Sequence, residues 1–257
     1  MVYVDVHVHS NLSKGENDPE EIVREAVELG FKALVLMDLY SGNIDEAGRV
    51  RRRIKELKEK FKDVTLYLGA EVKGDELKPV KKLVVNSRPY VEYLAVKTSS
   101  LEVIRWAART KPVDSIILPF KFRRVLMDAV TARFASEGKK AVEVCVCDMF
   151  RVRGMTRALS FSLVRREISI AKHYGLPIII SSNAKSVFDL RKPDQLTAIG
   201  EVLLGLSKEA ARNAVSAYPM DLLLRSAKLR RAGVVIEGVE VVGGKPGQDK
   251  NPDRSEG

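Results

Sequence analysis

A TIM-like seven-stranded (β/α) barrel of the α/β class is the fold this 257-residue sequence predicts, on three observations. Seven short apolar runs recur up to residue 182, helical patterns fill the gaps between them, and polar side chains gather at the C-terminal ends of the runs. Such strict alternation argues for parallel strands joined by crossover helices. Polar residues at strand C-terminal ends are what a barrel mouth displays, which favours a closed or nearly closed barrel over an open doubly wound sheet. Length agrees, since single barrels of about 250 residues are common.

The first strand lies in the stretch VDVHVHSNLSKG, residues 4 to 15. Val2, Val4, Val6 and Val8 alternate with Tyr3, Asp5, His7 and His9, a period of two that gives the strand one greasy and one polar face. The valines are expected to pack outward, leaving Asp5, His7 and His9 at the barrel interior or rim. In DPEEIVREAVELG, Asp18 can cap a helix, Pro19 suits its first position and Gly30 ends it. Strands follow in ALVLMD (33–38), VTLYLGAE (64–71), VEYLAVK (91–97), DSIILP (114–119), KAVEVCV (140–146) and LPIIISS (176–182). The helices between them are expected at 43–61, 76–87, 100–109, 122–136 and 156–174. Three more helical patterns, 193–205, 207–217 and 218–231, precede AGVVIEGVEVV, a late strand or hairpin. The end, GGKPGQDKNPDRSEG, has almost no apolar content and reads as disordered. With no internal repeat or linker, the expected organisation is one domain over 1–240 and a tail over 241–257.

Lys and Arg total 44 against 34 Asp and Glu, so the chain carries +10. That excess favours a polyanionic partner such as nucleic acid, although a composition with 30% charged residues also serves thermal stability. Cys145 and Cys147 are too few and too close for a disulfide framework or a four-ligand zinc site, and read as buried thiols. The absence of a signal-like start and of any apolar run near 18 residues gives the expectation of a soluble, cytoplasmic protein with no membrane partner.

The chemistry-bearing residues sit at strand ends. His7 and His9 end the first strand, Asp38 the second and Glu71 the third, while Glu143 lies in the sixth. Imidazoles and carboxylates gathered in this way are the ligand set of a divalent transition metal that hydrolyses phosphoesters. A second set is cationic: Lys97 after strand four, Lys121, Arg123 and Arg124 after strand five, Arg151, Arg153 and Arg157 after strand six, and Lys185 and Arg191 after strand seven. Ammonium and guanidinium groups at a mouth can grip phosphates where a metal otherwise would. The basic run RVRRRIKELKEKFK at 49–62 instead has the spacing of a solvated helix face. RSAKLRRAG at 225–233 is a basic helix end that either touches RNA or caps. His173 suits a helix C-terminus, and Trp106 suits core packing.

The opening motif resembles that of the polymerase and histidinol phosphatase (PHP) metallophosphoesterases, which build a multinuclear metal site at the mouth of a seven-stranded barrel. The likeness then thins. The Asp-His pair of those enzymes is here Asp38-Leu39, their His-Pro is Leu118-Pro119, and their Ser-Asp-Ala-His is SSNAK, with Asn183 and Lys185. A longer resemblance, carried by YLAVKTSSLEVIRWAA, VDSIILPF, AVEVCV and PIIISSNAKSVFDLRKPDQLTAIGEVLLGL, is to the protein component three family of archaeal and eukaryotic ribonuclease P, itself PHP-like. This resemblance implies a subunit of the ribonucleoprotein endoribonuclease that removes 5′ leaders from precursor tRNA. The resemblance implies that RNA is the catalyst of that enzyme and that the chain alone is not catalytic. It also implies, as partners, ribonuclease P RNA, the component two protein, the other protein subunits and, indirectly, precursor tRNA. No tightly bound cofactor is expected on the chain: Mg2+ would act through the RNA, and a residual divalent metal at His7 and His9 stays open.

Two other functions compete with it. One is an active PHP-type phosphoesterase working through His7, His9, Asp38, Glu71 and Glu143. The other is an RNA scaffold outside ribonuclease P.

Overall fold

The computed structural model describes residues 1–39, 44–120, 124–231, 234–236 and 239–240. Seven parallel strands run in sequence order: β1 (Val4–Val8), β2 (Ala33–Leu39), β3 (Thr65–Lys73), β4 (Tyr93–Lys97), β5 (Ser115–Ile117), β6 (Ala141–Cys145) and β7 (Ile178–Ser181). Around them lie α1 (Pro19–Glu28), α2 (Ala47–Lys60), α3 (Leu77–Ser87), α4 (Leu101–Arg109), α5 (Ala129–Glu137), α6 (Val146–Arg151) and α7 (Gly154–His173). Then come α8 (Pro193–Val202), α9 (Lys208–Ala214), α10 (Ala217–Arg231) and an antiparallel hairpin of β8 (Val234–Ile236) and β9 (Val239–Glu240). The predicted tail, 241–257, lies outside the described residues.

The barrel is nearly closed. β1 meets the segment just after β7 through one isolated bridge among the described residues, Val8 to Ala184, with the His9 amide donating to the Ala184 carbonyl at 2.9 Å. The Asp5 carboxylate extends this seam by accepting the Ser182 amide at 3.1 and 3.3 Å. A side chain thus supplies an acceptor where the ladder is missing, so a buried backbone donor stays satisfied.

A bulge in β1 corrects the expected facing of its side chains. Asp5 pairs with Leu34 and Val8 with Leu36, so three steps on β1 match two on β2. The His7 amide closes the bulge by donating to the Asp5 carboxylate at 3.1 Å. An extra residue switches which face each later side chain occupies. Val4 and Val6 therefore join the inner apolar cluster with Val35, Met37, Tyr93, Ile117 and Ile179, and Val8 joins the outer layer beneath the helices. Leu222 and Leu223 of α10 belong to the inner cluster too, and the Val4 amide donates to Val215, so α10 closes the base.

Two helical expectations change. The fifth helix begins at Ala129 instead of 122, because Asp128 is its cap, accepting the Thr131 amide at 2.8 Å. Before it, the Leu126 and Met127 amides are held by Glu167 of α7, a buried carboxyl that burial pushes upward despite those two bonds. The short α6 directly follows β6 and is absent from the pattern reading. The basic face of α2 is as expected, its cations paired in Arg49–Glu46, Arg53–Asp18, Lys58–Glu92 and Lys60–Glu20.

Candidate functional site at the barrel mouth

The bulge of β1 aims His7 and His9 at carboxylates from across the barrel. His7 Nδ1 lies 2.7 Å from Glu143 Oε1, and His7 Nε2 lies 3.2 Å from His9 Nε2. His9 Nδ1 lies 3.0 Å from the Met37 carbonyl oxygen. A carbonyl only accepts, so His9 carries its proton on Nδ1 and presents a lone pair at Nε2. His7 completes the chain by donating from both nitrogens, to Glu143 and to His9.

Glu143 is fully buried and accepts from His7, from the Tyr93 hydroxyl at 2.7 Å, and from the Ser115 and Ser181 hydroxyls at 2.9 and 2.8 Å. Burial alone would raise its carboxyl, but the His7 ring and the Tyr93 and Ser181 hydroxyls hold it below the usual range. Burial opposes a charge on His7 as well, yet its partners raise it well above 6.5. Of these partners Cys145 is a thiol pushed up to about 11 by burial, hence neutral, so the Glu143 carboxylate is the charge that matters. His9 is lowered by burial and by the neighbouring His7, in keeping with its neutral state.

Glu71 stands over the two rings, its Oε2 3.4 Å from His7 Nε2, 3.5 Å from His9 Nε2 and 3.6 Å from Lys14 Nζ. Burial would raise this carboxyl, and the surrounding His7, His9 and Lys14 hold it well below its usual value. Asp38 is turned elsewhere. It accepts the Ser10 amide at 2.8 Å, the Ser10 hydroxyl at 2.6 Å and the Ser13 hydroxyl at 2.7 Å, which fixes the loop that carries His9 and Lys14. Gly15 is required in that loop, since a Cβ there would sit 2.4 Å from the His9 carbonyl oxygen, a backbone atom with little room to move.

The five residues proposed as ligands therefore do not act as one donor set. His7 Nε2, His9 Nε2 and Glu71 Oε2 converge within 3.2 to 3.5 Å of one another, and His7, Glu143 and Cys145 form a second buried group. The separations of the first triad are close to the roughly 3.3 Å between ligand atoms of a tetrahedral ion bound at about 2.0 Å. Each imidazole also has the supporting acceptor on its far nitrogen that metal-bound histidines commonly have. One cation fits. Glu143 and Asp38 already accept three or more hydrogen bonds each, and Lys14 brings a positive charge to Glu71.

The predicted cations divide sharply. Lys97 pairs with Asp148, which also receives the Asn183 amide at 3.1 Å, and burial notwithstanding its ammonium is held above its usual value by neighbouring carboxylates. Arg151 bridges Asp148 at 3.6 Å and Asp189 at 3.5 Å. Arg157 donates to the Val152 and Phe150 carbonyls, and Arg191 to those of Phe188 and Leu190. The side chains of Lys185 and Arg153 have no intramolecular partner among the described residues. Arg124 is exposed, and Lys121 and Arg123 lie outside the described residues. Lys97, Arg151 and Lys185 line one mouth cavity of about 430 Å³ together with Lys73, Thr98, Ser99, Asp75 and Asp148. Lys14, Lys73, Tyr93, Ser115 and Ser181 were not among the expected site residues. Tyr93, Ser115 and Ser181 each occupy an inward position on their strands, a signal that period two carries once the facing is known.

The chain is 28% identical over 239 residues to the ribonuclease P protein component 3 of Methanococcoides burtonii, covering 93% of each chain. It is also 28% identical over 240 residues to that of Methanosarcina barkeri, covering 93% of this chain and 95% of the relative. In fold it is similar to a chain of an archaeal ribonuclease P with mature tRNA solved by cryo-electron microscopy, with a TM-score of 0.73, 22% identity and coverage of 94% and 99%. A protein of Listeria monocytogenes assigned as a histidinol phosphatase has the same barrel, with a TM-score of 0.56 at 12% identity, covering 73% of this chain and 97% of that one. The sequence profile described as RNase P subunit p30 matches residues 2–232, and the chain belongs to that family.

Proposed function

We propose that this chain is a protein subunit of ribonuclease P, the ribonucleoprotein that removes the 5′ leader from precursor tRNA. The observation that carries the reading is the family match over residues 2–232. In this reading the RNA subunit performs the chemistry with its own Mg2+, and the chain binds that RNA beside the component two protein and the other subunits. The +10 net charge and the cations Arg153 and Lys185, without partners among the described residues, support an RNA-facing mouth. Reconstitution tests it: adding this chain with its component two partner to cognate ribonuclease P RNA is expected to restore precursor tRNA cleavage at Mg2+ concentrations where the RNA alone is slow. Cleavage unchanged by the pair rejects the proposal.

A second reading concerns only the His7, His9 and Glu71 triad, whose convergent ligand atoms favour it. These residues would hold one divalent cation, which when bound supplies a Lewis acid. The chain's own part is to set the imidazole tautomers through Glu143 and the Met37 carbonyl. Titrating metal-free chain with Zn2+ is expected to saturate at one equivalent and to lose that site in His9→Ala. Two or three equivalents, with turnover of a simple phosphoester, would return the chain to the phosphatase class.

A further inference from the structure

The stretch FDLRKP at 188–193 opens on Phe188, a residue with no part in the mouth described above. Phe188 is 87% exposed, the most exposed of the large apolar side chains among the described residues. A scattered surface apolar residue is ordinary. This one stands on a pedestal. The one-turn 3₁₀ helix Val187–Asp189 that carries it is tied on every side. The Val187 amide donates to Asn17 Oδ1 at 3.1 Å, the Asp189 amide to the Ser186 carbonyl at 3.1 Å, and the Lys185 amide to Asp189 Oδ2 at 3.1 Å. Arg191 clamps the Phe188 carbonyl itself at 2.7 Å. Val187, next to Phe188, packs against the core, so the turn is fixed while the aromatic ring is left in solvent.

Its neighbours are charged. Arg151 reaches the adjacent Asp189 at 3.5 Å, and Lys185, three residues before, has an ammonium with no intramolecular partner among the described residues. A rigid, solvent-facing aromatic ring flanked by cations is the arrangement that binds an unpaired nucleotide: the base stacks on the ring and the adjoining phosphates meet the cations. We propose that Phe188 is a stacking platform for an unpaired nucleobase of RNA, with Lys185 on a flanking phosphate. This inference rests on the RNA-binding reading above and adds to it the kind of RNA taken, a single-stranded or bulged segment instead of a continuous duplex. A duplex keeps its bases stacked inside and offers the ring nothing to cover.

Stacking and charge leave different signatures. The full chain is titrated with a fluorescently labelled single-stranded RNA 12-mer, with a blunt RNA duplex of the same length, and with cognate ribonuclease P RNA, each at several salt concentrations. Phe188→Ala is expected to weaken the single strand by about 5- to 150-fold, the effect of losing one stacked base, while the slope of log affinity against log salt stays unchanged. Phe188→Trp is expected to restore it, and duplex binding is expected not to move. Because the ring touches so little of the protein, unchanged thermal unfolding in Phe188→Ala accompanies these results. Equal affinity of the wild type and Phe188→Ala for the single strand and for the cognate RNA overturns the platform and leaves the proposed function standing. So does a loss confined to assembly with the protein subunits, which would place a protein on the ring. A wild type that binds none of the three RNAs fails both readings together.

Discussion

Replacing Glu143 with alanine is expected to destabilise the protein by about 3–5 kcal/mol, the range for removing one partner of a buried ion pair. The carboxylate serves five donors at once, His7, Tyr93, Ser115, Ser181 and, more weakly, the Cys145 thiol, in a site with no solvent access. Alanine strands all of them and leaves the His7 charge alone in a low-dielectric interior. Glu143→Gln is not a remedy, because its amide nitrogen puts hydrogens where donors already point. Urea unfolding at neutral pH measures the effect, and a loss below about 1 kcal/mol would show that the network is not held by this carboxylate. The pH dependence has a defined sign. Glu143 is depressed on folding, so its contribution is full above the unfolded carboxyl value near 4.5 and disappears as pH falls through the lower folded value. His7 is raised, so its contribution is full below 6.5 and is lost only as pH rises through its higher folded value. The gap between wild type and Glu143→Ala is therefore widest between about pH 4.5 and 6.5, narrows as pH rises through the folded value of His7 and closes in acid.

This network also marks where the sequence is transparent and where it is not. The strands were readable because their apolar runs are local and bounded by caps such as Asp18 before α1. The start of α5 was readable in principle from Asp128, but its approach depends on Glu167, 40 residues away, which no local pattern reports. The facing of β1 is legible in the sequence for His7, Val8 and His9 but not for Val4 and Val6, for a definite reason. One extra residue between Asp5 and Val8 reverses the alternation, and strict period two in the sequence gives no sign of it. The histidines and glutamates at strand ends were visible as chemistry-bearing types in telling positions. That Asp38 would turn to Ser10 and Ser13, and that Tyr93 would reach Glu143, follows from tertiary packing alone.

The cations show the same divide with a functional consequence. By composition Lys97, Arg151, Arg153, Arg157, Lys185 and Arg191 are equivalent. In the fold Lys97 and Arg151 meet carboxylates, Arg157 and Arg191 meet carbonyls, and Arg153 and Lys185 meet neither. A cation already spent on an internal partner has less to give a phosphate, and removing it disturbs the fold as well. The double reversal Arg153→Glu with Lys185→Glu is therefore the clean test of the mouth as an RNA surface. It is expected to weaken binding of cognate ribonuclease P RNA by on the order of a hundredfold at low salt, about 1.4 kcal/mol for each reversal, and to reduce the salt slope by about two. Thermal unfolding should be unaltered, since neither side chain has a partner to lose among the described residues. Arg157→Gln and Arg191→Gln should behave in the opposite way, lowering stability through the freed carbonyls of Val152 and Phe188 while keeping most of the salt slope. Were the double reversal to leave both affinity and slope as in the wild type, the RNA would have to approach by another face. The gradation between paired and unpaired cations makes that outcome unambiguous, because the three variants separate loss of charge at the mouth from loss of the fold that presents it.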